Sequence, residues 1–174
     1  MAIETMLKRG VTSHFGPRST EGRYGGKSLD VTGRQQVARW VFDYDNLPDA
    51  ATHKLDVIIP ANSTIVSAKL NIITAFTSTS TATDLTVGLQ KADGAEIDDN
   101  GLITAAQATQ ATIAVANSII DGASGTPGAL IGTTIGADAG ELVVTPTTDD
   151  LLTGRAEMIV EYMLPAPSQQ SIVA

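Results

Sequence analysis

The chain contains no cysteine, so neither disulfides nor cysteine-ligated zinc contribute to its stability. Aromatic residues make up only 4% of it, and the core must therefore be built mainly from Val, Ile, Leu and Ala. No stretch approaches the roughly 20 apolar residues that a membrane span requires, so no membrane partner is expected. The opening residues, MAIETMLKRGVTSHFG, lack the continuous apolar segment of a secretory signal. The expectation is a soluble product made in a cytoplasm. Basic residues are also scarce beyond the first forty positions, where only Lys54, Lys69, Lys91 and Arg155 occur.

That scarcity is one half of a charge division. Residues 1 to 40 hold seven Lys/Arg against three Asp/Glu, which leaves +4; the other 134 residues hold four against sixteen, which leaves −12, and together they give the net −8. A basic arm on an acidic body indicates two parts that meet different surfaces. Residues 1–36 show neither helical nor alternating periodicity, and Gly10, Gly16, Gly22, Gly25, Gly26 and Gly33 oppose any long regular element there. The expected organisation is an extended arm over residues 1–36, a β-sandwich domain over 37–164 and a tail over 165–174. Its alternative, a tail without function, leaves the concentration of positive charge unexplained.

From residue 38 the chain alternates. In ARWVFDYD, Trp40, Phe42 and Tyr44 share one face, the pattern of a strand whose rings belong to the core, with Trp40 expected to be largely buried. HKLDVII places Leu55, Val57 and Ile59 on one face before Pro60. In TIVSAKLNIITAF, Val66, Ala68, Leu70 and Ile72 are expected to face inward, and DLTVGLQ aligns Leu85, Val87 and Leu89. A helical turn is expected over Ala105 to Gln110, followed by an extended segment. Three further strands are read in ALIGTTIG (Ala129–Gly136), GELVVTPT (Gly140–Thr147) and GRAEMIVEYML (Gly154–Leu164). Seven or eight short strands bounded by turn residues indicate a mainly β protein, an antiparallel jelly-roll-like or immunoglobulin-like β-sandwich carrying an N-terminal arm.

Candidate chemistry centres on LQKADGAEIDDNGL, where Asp93, Glu96, Asp98, Asp99 and Asn100 crowd between Gly94 and Gly101. A calcium loop of the EF-hand type needs oxygen ligands at alternating positions and a bidentate Glu at position 12. Counting from Glu96, position 12 is Gln107; counting from Asp93, positions 3 and 5 are Ala95 and Ile97. Two consecutive turns, DG and DDNG, explain the stretch better, and no metal or other cofactor is expected. The histidines His14 and His53 sit in no local catalytic motif, and neither GxSxG nor a phosphate-binding loop occurs. An enzyme is therefore not expected. A body at −12 repels nucleic acid, whereas the arm suits an acidic protein surface, with Lys8, Arg9, Arg18, Arg23, Lys27 and Arg34 as the contact residues.

The block LDVIIPANSTIVSAKLNIITAFTSTSTATDLTVGLQKADGAEIDDNGLI, Leu55 to Ile103, resembles the head decoration (cement) proteins of tailed bacteriophages. Three features carry the likeness: the IIPANSTIVSAKL turn and strand, the TDLTVGLQKADG strand and the IDDNGLITAA return. The resemblance implies a jelly-roll-like sandwich on the outer surface of a virion, made in a bacterial host. It implies the major capsid protein as partner, neighbouring subunits bridged and stabilised, and a homo-oligomer, a trimer or alternatively a dimer. The competing expectation is a carbohydrate-binding head-fibre or lectin-like module, which requires Trp40, Phe42 and Tyr44 to be exposed.

Overall fold

The computed structural model describes residues 5–7, 10–12, 35–79 and 82–165. The chain divides into two compact units, Met1–Gln35 and Gln36–Ala174. In the first, strands β1 (Thr5–Leu7) and β2 (Gly10–Thr12) form an antiparallel ladder with Thr5 opposite Thr12 and Leu7 opposite Gly10. Strands of three residues are compatible with the glycine density around them.

The second unit is built on eight strands. They are β3 (Gln35–Asp43), β4 (His53–Ile59), β5 (Thr64–Ser78), β6 (Leu85–Gln90), β7 (Glu96–Ile103), β8 (Ser118–Asp121), β9 (Gly140–Pro146) and β10 (Leu151–Met163). Two four-stranded sheets result, ordered β3-β10-β5-β8 and β4-β9-β6-β7. Counted along this unit, the first strand pairs with the eighth, the second with the seventh, the third with the sixth and the fourth with the fifth. That is one long hairpin rolled over on itself, the connection pattern of a jelly roll. The ladders are antiparallel. On β3 and β10 the ion pairs Arg39–Glu157 and Asp43–Arg155 advance along one strand as they retreat along the other, as antiparallel pairing requires.

The inward residues of both sheets make one aliphatic core, with Leu55, Ile59, Leu70, Ile72, Leu85, Val87, Leu142, Val144, Met158 and Val160 all buried. Each such side chain contributes roughly 1.5–3 kcal/mol relative to leaving it in water. Phe42 and Phe76 add the large rings, their centroids 6.2 Å apart. Gly154 adopts φ +136° beneath Phe76, and a Cβ there would lie 2.0 Å from the ring.

Three expectations need correction. Val66 faces outward and Ile65 inward, because Glu161 pairs with Ser67 while Tyr162 pairs with Ile65. Val66 is the extra residue of a bulge, which shifts the alternation by one. The segment Ala129–Gly136 is not a strand but a run of turns with one isolated bridge, Thr64 to Thr134. It is pinned by Leu130 N–H to the Gly101 carbonyl (2.9 Å), Gly132 N–H to that of Ile65 (2.9 Å) and Ile135 N–H to that of Ser63 (2.9 Å). Finally, only a turn forms at 105–107, and the helix α1 (Gln110–Ile113) begins later. Its start is fixed by Gln110 N–H donating to Asp84 Oδ1 at 2.8 Å, an acceptor brought from the connection between β5 and β6. Among the described residues no helix is long and apolar enough to cross a membrane.

Candidate functional site

The six basic residues assigned to partner contact, Lys8, Arg9, Arg18, Arg23, Lys27 and Arg34, lie outside the described residues, as does His14. Lys8 and Arg9 fall between β1 and β2 in the sequence.

The acidic stretch occupies the β6–β7 hairpin. Its first half is the expected turn: Gly94 has φ +86°, its N–H donates to the Lys91 carbonyl at 2.9 Å, and Asp93 Oδ1 accepts from Ala95 N–H at 3.0 Å. The second expected turn does not form. Asp98, Asp99, Asn100 and Gly101 belong to β7, and because Val87 and Leu89 on β6 face Ile103 and Asp98, the four residues Asp99 to Leu102 bulge opposite Gly88 alone. This bulge lies over Gly88, where a Cβ would stand 2.0 Å from the Asp98 carbonyl oxygen. A glycine inside a strand often marks such a close approach, and that signal was present in TVGLQ without naming what approaches.

One consequence is that Glu96, Asp98 and Asp99 each bring a carboxylate oxygen within 4.8 Å of the others. Asp93 stays apart at the turn. Gln107, the residue at position 12 of the calcium-loop count, is engaged elsewhere. Its Nε2 donates to the carbonyls of Ser124 (2.7 Å) and Gly122 (3.0 Å), and its Oε1 accepts from Thr104 N–H at 2.9 Å. The EF-hand frame is therefore not assembled. Beside the turn, Lys91 Nζ stands 2.7 Å from Asp138 Oδ2. The hydrogen bond to Asp138, then its charge, raises the Lys91 pKa above the ordinary lysine value.

His53 Nε2 lies 3.0 Å from both the carbonyl and Oδ1 of Asp49. This four-residue link closes the β3–β4 connection and gives the ring a structural task. The aromatic strand divides: Phe42 is fully buried, Tyr44 is half-buried against the core, and Trp40 is 38% exposed. Trp40 was expected inside. It shares its phase with Ala38 and Phe42, but β3 is an edge strand, so its large ring has a neighbouring strand on one flank only.

The outer side of the β3-β10-β5-β8 sheet carries ion pairs between strands. Arg39 Nη1 reaches Glu157 Oε1 at 3.4 Å, Arg155 Nε reaches Asp43 Oδ1 at 3.5 Å, and Ser67 Oγ donates to Glu161 Oε2 at 3.0 Å. On the other sheet Lys54 pairs with Glu141 at 2.5 Å and donates to the Ala92 carbonyl at 3.1 Å. These contacts tie strands and turns together. The carboxylate group on β7 has no basic partner among the described ion pairs.

No family model and no curated protein sequence matches the chain. Among solved structures it is similar to a chain of the cyanophage Pam1 capsid asymmetric unit, with a TM-score of 0.51 and 15% identity over 75% of this chain and 85% of that one. It is also similar to a chain of the capsid of Ralstonia phage GP4, with a TM-score of 0.49 and 18% identity over 76% of this chain and 86% of that one. At such identities the likeness is one of fold.

Proposed function

We propose that the protein is a structural component of a tailed-phage virion that binds the outer surface of the capsid. There it stabilises the shell by bridging major capsid protein subunits, as a homo-oligomer and without catalytic chemistry or cofactor. The observation that carries this reading is the jelly-roll body, whose fold likeness to a chain of a phage capsid asymmetric unit extends over three quarters of the protein. The uneven charge supports it: Lys8, Arg9, Arg18, Arg23, Lys27 and Arg34 supply an anchor for an acidic shell, and the acidic body suits the solvent side. One weak anchor per subunit, repeated by capsid symmetry, gives avidity.

The test is to mix the protein with undecorated heads and measure occupancy after sedimentation. Wild type is expected to bind, with occupancy falling as salt rises. Reversing the charges of Arg18, Arg23 and Lys27 together is expected to remove a large part of the binding. Full occupancy by the charge-reversed protein places the anchor elsewhere, and no binding by the wild type refutes the capsid reading.

A second reading, a glycan-binding module, draws on the exposure of Trp40 alone, because Phe42 is buried and Tyr44 half-buried. A single partly exposed ring is a poor stacking platform for a sugar chain.

A further inference from the structure

We propose that the outer face of the β3-β10-β5-β8 sheet is the surface through which two copies of this chain pair about a twofold axis. The face is studded with exposed β-branched side chains: Val37 (51% exposed), Val41 (41%), Ile73 (38%) and Ile119 (67%). Val37 and Val41 alternate with the core-facing Ala38 and Phe42 on β3. Ile119 stands opposite Asn71, which stands opposite Glu157, and the half-buried Ile159 stands opposite Lys69. By contrast, the strands of the other sheet contribute only Ile58 to the exposed large apolar residues.

Charge separates this face from the rest of the body. Across residues 36–165 there are sixteen Asp/Glu and five Lys/Arg. Arg39, Lys69 and Arg155 lie on this face with Asp43, Asp121, Glu157 and Glu161, which leaves −1 there. Twelve acids against Lys54 and Lys91 leave −10 for the remainder. Two identical bodies repel each other over most of their surface. On this face self-contact sets apolar groups against apolar groups beside two ion pairs, Arg39–Glu157 and Arg155–Asp43, that are already closed within one copy. A twofold contact needs a surface that complements itself, and a nearly neutral face with both signs balanced within it meets that condition. A head-to-tail contact would set this face against the remainder of the described body, which is strongly acidic and whose two lysines, Lys54 and Lys91, are each already paired with a carboxylate.

The pairing gives a surface to the self-association contained in the capsid reading, and its test uses no capsid. The full-length protein is followed by sedimentation velocity across the micromolar range, with Val41→Glu, Ile119→Glu and, as a control on the other sheet about as exposed as Ile119, Ile58→Glu. The wild type and Ile58→Glu are expected to be dimers. Val41→Glu and Ile119→Glu are expected to weaken self-association by about tenfold or more, since each replaces an apolar contact by an unpaired carboxylate in both halves of the interface. Circular dichroism and melting establish that the variants are folded, and Val37→Glu replaces either one that is not. A monomeric wild type, a trimer, a dimer indifferent to the face variants, or an equal loss with Ile58→Glu overturns the pairing. A monomer that still decorates heads sinks the pairing alone, and a dimer that ignores heads sinks the capsid reading alone.

Discussion

At Gly88 and Gly154 a side chain would collide with structure arriving from elsewhere in the chain: the backbone of the β7 bulge in one case, the Phe76 ring in the other. Such collisions are decided by tertiary neighbours, and a sequence records only that something small is needed. The aromatics of β3 show the same limit from the other side. Their alternation was legible, and it correctly placed Phe42 in the core, yet it could not distinguish a central strand from an edge. Phe42→Ala is therefore expected to cost about 3–5 kcal/mol in denaturant unfolding, the usual penalty for emptying a fully buried ring site. Trp40→Ala should cost less, about 1–2 kcal/mol, because part of the indole already faces water. Equal losses at the two positions would place Trp40 in the core after all.

At the scale of elements, alternation found the strands that run without interruption and failed where a strand is bulged. The inward phase of Ala68, Leu70 and Ile72, and of Ala156, Met158 and Val160, was readable because each run is paired residue for residue. Alternation misplaces Val66 because a single extra residue, set by the partner strand, turns the next side chain over. DDNG carries turn chemistry but is drawn into β7, where it becomes a bulge rather than a loop. The acidic group made there is legible as composition and only partly as geometry: strand alternation puts Glu96 and Asp98 on one face, while Asp99 joins them through the bulge. Three carboxylates without the bidentate position-12 ligand make a poor calcium cage. Thermal unfolding with calcium and with chelator is accordingly expected to superimpose, because only a ligand of the native state raises the transition. A reproducible rise of several degrees with calcium would show that the bulge holds the ion.

At the scale of the whole molecule, the rolled-hairpin topology closes on itself: the first strand of the body pairs with its last, and both sheets are complete between Gln35 and Met163. The core likewise draws on residues from Ala38 to Tyr162. Stability should therefore reside in the body, while all six Lys/Arg of the arm leave with residues 1–34 and Arg39 stays on β3. The cut is made after residue 34, because β3 begins at Gln35 and a deeper cut would shorten an edge strand. The protein starting at Gln35 is expected to keep the strand-rich circular dichroism of the full chain and a single cooperative melting transition within a few degrees of it. Its binding to undecorated heads is expected to fall steeply, and what remains should no longer weaken with added salt, since the screened charges are gone. Two results would separate the possibilities sharply. A body that unfolds without the arm makes residues 1–34 part of the fold. A body that melts normally and still fills the heads makes them dispensable, and the capsid contact must then be sought on the sandwich.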